Sequence, residues 1–137
     1  MASTSPRFGD NMRSDDFITV PVEEETTIYA GTMVALNAAG YAVPASAATG
    51  LTVLGKAAQT VVNAGADGDV SITVELSNGR KSFRFNNAGT NPVTITHVGK
   101  TAYVADNDTV TSSSTGTSAA GTVTGLDSGG VWIRFAL

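Results

Sequence analysis

His97 is the single histidine of this 137-residue chain, and there is no cysteine. It stands in "TITHVGK" with no carboxylate motif beside it. Ser and Asp residues are numerous enough for a Ser-His-Asp triad on composition, but no GxSxG nucleophile elbow occurs. His97 therefore reads as a structural residue of a turn. "HVGKT" ends like a phosphate-binding loop, which needs a glycine five residues before its Gly-Lys pair. Thr94 occupies that place, and no glycine lies between Gly89 and Gly99. Zinc would need several Cys or His ligands, and the chain has one histidine and no cysteine. Asp67/Asp69 and Asp106/Asp108 are alternate carboxylates in turns, a spacing open to calcium. Neither continues as an EF-hand loop, and Asp is a favoured turn former. Glu23–Glu25 has no second acidic cluster, so no glycosidase pair is discernible from spacing. The expectation is a non-enzyme with no catalytic, cofactor-binding or metal-binding residues.

The aromatic residues admit a ligand-stacking role or a core role. In "VWIRF", alternation places Val131, Ile133 and Phe135 on one face and Trp132 and Arg134 on the other. Phe83 and Phe85 share a face of "RKSFRF", with Ser82 and Arg84 across the pleat. Core packing is the reading for the two phenylalanines. Trp132 and Arg134 are the candidate exposed contact pair.

The elements that would position these residues are strands. Gly, Thr, Ser, Val and Asn dominate, which suits strands and turns and weakens helices. "DVSITVEL" puts Val70, Ile72, Val74 and Leu76 on one face. "FITVPV" alternates Ile18, Val20 and Val22, but Pro21 cannot donate to a ladder, so this strand belongs at an edge. "SNGR" reads as a hairpin turn, because Asn-Gly supplies the positive φ angles of a type I′ turn. One short helical turn is expected at "TITHVGK", ended by Gly99. Many short strands at close spacing give an all-β fold, a compact barrel or sandwich of antiparallel strands.

An internal repeat is also legible. Residues 31–76 and 99–137 each begin with glycine, then run through a strand, a polar turn and a second short strand. A Ser/Ala/Thr/Gly segment follows, then a strand led by glycine, a Gly/Asp turn and a last alternating strand. Two duplicated β-meanders, closing their sheet edges against each other, would account for this order; so would the self-similarity of any glycine-rich β-protein. The many Ala and Thr positions imply close packing with modest apolar burial.

Residues 17–137 thus read as one β-domain, and residues 1–16 as an extended N-terminal arm. Phe8, Met12 and Phe17 are spaced along its polar sequence. The arm is either a disordered tail or a segment that orders on a partner through those residues and Ile18.

Composition narrows the partners. Hydrophobic residues make up 42% and charged residues 15%, with a formal net charge of −4. A nucleic-acid surface needs a Lys/Arg excess, and the densest basic stretch, "GRKSFRF", holds only Arg80, Lys81 and Arg84. No apolar run approaches the roughly 20 residues of a membrane helix. "MASTSPRFGDNMRSDDF" lacks the apolar core of a secretory signal, so synthesis as a soluble protein in a cytoplasm is expected.

"TTIYAGTMVALNAAGYAVPAS", "VLGKAAQTV", "GADGDVSITVEL", "FRFNNAG", "HVGKTAYVADNDTV" and "AAGTVTGLDSGGVWIRFAL" together resemble the small capsid cement, or decoration, proteins of tailed bacteriophages. The resemblance covers most of residues 15–137 and excludes the start, residues 1–13. It implies a structural virion protein on the outer capsid surface that reinforces the shell where capsid subunits meet. It also implies the major capsid protein as partner and a homo-oligomer, with a trimer favoured over a dimer. The contact residues inferred beside it are Phe8, Met12, Phe17, Ile18, Trp132 and Arg134, with the arm laid along a neighbour by strand addition. A carbohydrate- or receptor-binding β-module with an exposed aromatic patch near Trp132 is the alternative. A small hydrolase would need a pocketed acid or histidine.

Overall fold

A computed structural model describes residues 2–6 and 13–137. Those residues form an all-β structure of two units. The first holds β1 (Phe17–Pro21), β2 (Thr26–Ile28), β3 (Met33–Leu36), β4 (Ala42–Pro44), β5 (Thr52–Ala57), β6 (Val61–Asn63) and β7 (Ser71–Glu75). The second holds β8 (Phe83–Asn87), a 3-10 turn (Ile95–His97), β9 (Thr101–Asp106), β10 (Thr109–Thr111), β11 (Ala119–Asp127) and β12 (Gly130–Arg134). No helix among the described residues is long and apolar enough to cross a membrane.

The two units share one strand order. The first sheet runs β1-β7-β5-β3-β4, and the second runs β8-β12-β11-β9-β10 before closing on itself as a barrel. Register repeats as well. Val34 opposes Gly55 as Ala102 opposes Gly121, Ala35 opposes Val43 as Tyr103 opposes Thr111, and Ile18 opposes Val74 as Phe83 opposes Ile133. Gly31 and Gly99 turn the chain at φ +85° and +84°, a region glycine enters without a Cβ penalty. Gly31 donates to the Ala57 carbonyl (2.9 Å) and Gly99 to that of Val123 (2.8 Å).

The matching differs from the sequence reading in three ways. Each unit begins earlier, at Phe17 and Phe83, because β1 and β8 occupy the same place. Ile72 is the counterpart of Val131, two residues later than the shared ends at 76 and 137 imply, since Val74 and Ile133 oppose equivalent residues of β5 and β11. The small β2–β6 sheet belongs to the first unit alone; a tight turn at Asp127–Gly130 stands where β6 would.

The "SNGR" turn forms, but it makes no hairpin. Asn78 and Gly79 have φ +51° and +70°, and Arg80 donates to the Ser77 carbonyl at 3.0 Å. β7 is flanked by β1 and β5, whereas β8 pairs with β12 and β10. The turn therefore carries the chain from one unit to the other. The exit is held by the residues after β12: Phe135 N–H donates to the buried Ser77 hydroxyl (2.8 Å) and Asn78 N–H to the Leu137 carbonyl (2.7 Å).

Sheet edges close within each unit rather than against the other. β10 pairs with β8 in parallel through Thr109–Asn86 and Val110–Asn87. In the first unit this seam shrinks to one parallel bridge, Val22–Ala42. β1 is an edge strand of its sheet, the place expected from Pro21.

Two apolar clusters hold the units. One gathers Val22, Ile28, Val34, Leu54, Ile72 and Val74. The other gathers Phe85, Val104, Val123, Val131, Ile133 and Phe135, and also takes in Met33, Ala35, Ala45 and Val53 from the first unit. β3 is therefore buried on both faces, with Val34 in its own unit's cluster and Met33 and Ala35 in the other. That accounts for a run of buried residues where a one-faced strand would alternate. Small side chains at Ala35 and Ala102 let the layers approach. Each fully buried Val, Ile or Leu contributes roughly 1.5–3 kcal/mol.

Candidate functional site

β12 sends Val131 and Ile133 into the core and turns Trp132 and Arg134 outward, as alternation dictates. Trp132 is half-buried rather than free. Its Nε1–H donates to Asp127 Oδ2 (2.8 Å), and Asp127 Oδ1 accepts from Gly129 N–H (2.7 Å). The Arg84 guanidinium lies 5.6 Å from the indole centroid and 3.9 Å from Asp127. The Trp132 hydrogen bond, then that of Gly129, holds the Asp127 carboxyl below its usual value, and Arg84 adds a smaller pull. Arg84 covers one ring face, and the carboxylate uses the indole N–H to pin the β11–β12 turn.

A second arrangement crosses β1, β7 and β5. Register brings Phe17, Glu75 and Lys56 into one row. Glu75 receives Lys81 at 3.0 Å and Lys56 at 3.7 Å. Lys81 Nζ lies 5.6 Å from the Phe17 ring centroid, and Lys56 Nζ lies 4.8 Å from that of Phe83. Each cation is thus shared between a carboxylate and an aromatic face. Phe17 remains 52% exposed, so the row ends in an apolar surface.

Two clefts flank the junction of the units. The larger, about 540 Å³, lies between the starts of β5 and β11 and is also lined by Arg134, Phe135 and Ala136. The smaller, about 470 Å³, is lined by Arg13, Asp15, Ile18, Leu76 and Leu137. Gly79 and Ala136 border both.

The six candidate contact residues are thereby distributed. Arg134 lines the larger cleft, Ile18 the smaller, Phe17 ends the cation–aromatic row, and Trp132 belongs to the turn lock. Trp132 and Arg134 share a strand face but not a site. Phe8 and Met12 lie outside the described residues. Sequence reasoning missed Lys56, Glu75 and Lys81, which only strand register brings together.

The residues weighed for chemistry have structural hydrogen-bond partners. His97 Nδ1 accepts from Thr94 N–H at 2.9 Å, which caps the expected short turn. Asp69 accepts from Ala66 N–H and Asp106 from Asn107 N–H, the local hydrogen bonds of turn formers, whereas Asp67 accepts from Glu24 N–H and ties two loops together. Glu23 accepts from the Asn37 amide at 3.2 Å. No group of three or more His, Asp or Glu residues able to hold a metal ion occurs among the described residues. Asn63, unremarked in the sequence, is buried; its amide donates to the carbonyls of Val22, Glu23 and Ala66 and ties the segment after β1 to the loop after β6.

Comparison with protein-family models, curated proteins and solved structures finds no match to this chain.

Proposed function

We propose that this chain is a structural virion protein that binds the outer surface of a tailed-phage capsid and reinforces contacts between capsid subunits. The resemblance of its strand-and-turn pattern to cement proteins motivates the reading. The observation that carries it is the layout of the surface. Phe17 with its cation row, the cleft with Arg134 and the cleft with Ile18 lie along edges and junctions instead of converging on one pocket. Such dispersed contacts suit a protein that grips a broad surface in many copies, where avidity makes each weak contact sufficient. The major capsid protein is the partner, a homo-oligomer is the working unit with a trimer favoured, and Phe8 and Met12 of the arm add anchors.

The carbohydrate-binding alternative loses ground at Trp132, because Arg84 occupies one face of the indole that a sugar would stack on.

Co-sedimentation with expanded, undecorated shells of the parent phage tests the reading. Saturable binding at a fixed copy number per capsid subunit is the expected result. Absence of binding by the folded protein at high concentration would refute it.

A further inference from the structure

Both units leave the start of one strand half-paired. In β5 the ladder to β7 covers Lys56 and Ala57, so Thr52 and Val53 have no strand on that side among the described residues. In β11 the ladder to β12 begins at Thr122, leaving Ala119 and Ala120 in the equivalent state. These two open stretches line the same cleft of about 540 Å³. An open strand edge presents backbone N–H and C=O groups, which recognise an extended chain by strand addition.

Arg134 lines that cleft and is exposed. Arg13, Arg80, Arg84, Lys56 and Lys81 each have a carboxylate within 4.0 Å, whereas Arg134 and Lys100 have none among the described residues, and of these two only Arg134 lines the cleft. A guanidinium so placed matches a carboxylate with two parallel hydrogen bonds. In a chain of net charge −4 it is a local exception that sets the sign of what binds there. Leu51, Ala119 and Ala136 supply an accessible apolar lining beside it.

We propose that this cleft is the docking site for an extended segment of the capsid subunit that carries a carboxylate between apolar side chains. The segment lies along the open starts of β5 and β11, pairing with one of the two edges, and sets its carboxylate on Arg134. This inference rests on the shell-binding reading above and goes further by naming where the shell attaches and which chemistry it presents.

Shell co-sedimentation of four variants tests it, with amide spectra verifying that each is folded. Arg134→Glu reverses the charge, and Ala119→Trp fills the cleft from an exposed position. Arg134→Lys keeps the charge without the fork, and Ile95→Ser changes an exposed residue of the 3-10 turn, outside the cleft. Arg134→Glu and Ala119→Trp should each weaken binding by about ten-fold or more, Arg134→Lys by less, and Ile95→Ser not at all. Binding should also slow exchange of the amides in Thr52–Val53 or Ala119–Ala120 that point away from β3 or β9. If the wild type binds shells and both cleft variants bind equally well, the cleft assignment is wrong and the shell reading stands. If those variants keep shell binding but lose self-association, the occupant is a second copy and the proposal is overturned. If the wild type does not bind shells, both readings fall.

Discussion

Pro21 and Asn86 hold the same place in the two units, and the difference between them sets how each unit closes. Asn86 N–H donates to the Asp108 carbonyl at 2.8 Å, and Ala88 N–H to that of Val110 at 2.9 Å. In the first unit Glu23 N–H donates to the Ala42 carbonyl at 3.1 Å, the counterpart of the second bond. The counterpart of the first is impossible, because proline has no N–H. One missing donor leaves a single bridge where the other unit has a parallel ladder.

Pro21→Asn restores that donor opposite Gly40. The new hydrogen bond is worth about 0.5–1.5 kcal/mol, and losing proline's restriction of the unfolded chain costs about 0.4–1 kcal/mol. Overall stability should therefore change little, while residue 21 gains a slowly exchanging amide. Exchange as fast as that of an open loop would show that the seam does not close.

Gly55 and Gly121 sit at matching points, where a Cβ would run into the backbone carbonyls of Glu75 and Arg134 respectively. Gly55→Ala and Gly121→Ala should each destabilise by about 1–3 kcal/mol, because a backbone atom must move. Gly89→Ala, with open space around it, should stay near wild type. Urea unfolding of the three variants measures this, and equal midpoints would contradict the repeated packing.

Ser77→Ala leaves the Phe135 N–H without its buried acceptor. The expected loss is about 1–3 kcal/mol, the cost of an unsatisfied buried donor. Chemical denaturation tests it; a loss of a few tenths would mean that the crossing between units is not held there.

Asp127 titrates below its ordinary carboxyl value of 3.8. A carboxyl whose folded value is depressed adds stability above the unfolded value and loses it as pH falls through the folded one. The turn lock should thus be intact at neutral pH and release only in acid below 3.8. The Trp132 indole N–H resonance should follow that transition, and Asp127→Asn should remove it. A midpoint at or above 3.8 would contradict the assignment.

Much of the local structure was legible before any fold. The faces of "VWIRF" and "DVSITVEL", the positive-φ turn at Asn78-Gly79, the edge position of the strand ending in Pro21, and the short turn before Gly99 follow from side-chain alternation and backbone preference. The two-sided burial of Met33–Ala35 was not legible, because "MVAL" carries no mark of which neighbour covers its second face.

By itself, then, the sequence determined an all-β chain with its strand faces and turns, since these depend on residues a few positions apart. Tertiary structure alone decided that the Ser77–Arg80 turn joins two units, that Lys56 and Lys81 meet over Glu75, and that the open starts of β5 and β11 share a cleft with Arg134. Every strand edge offers the same N–H and C=O groups, so local sequence does not choose the partner. That choice falls to whichever long-range pairing buries both apolar faces at once, and it is made only when the whole chain is packed.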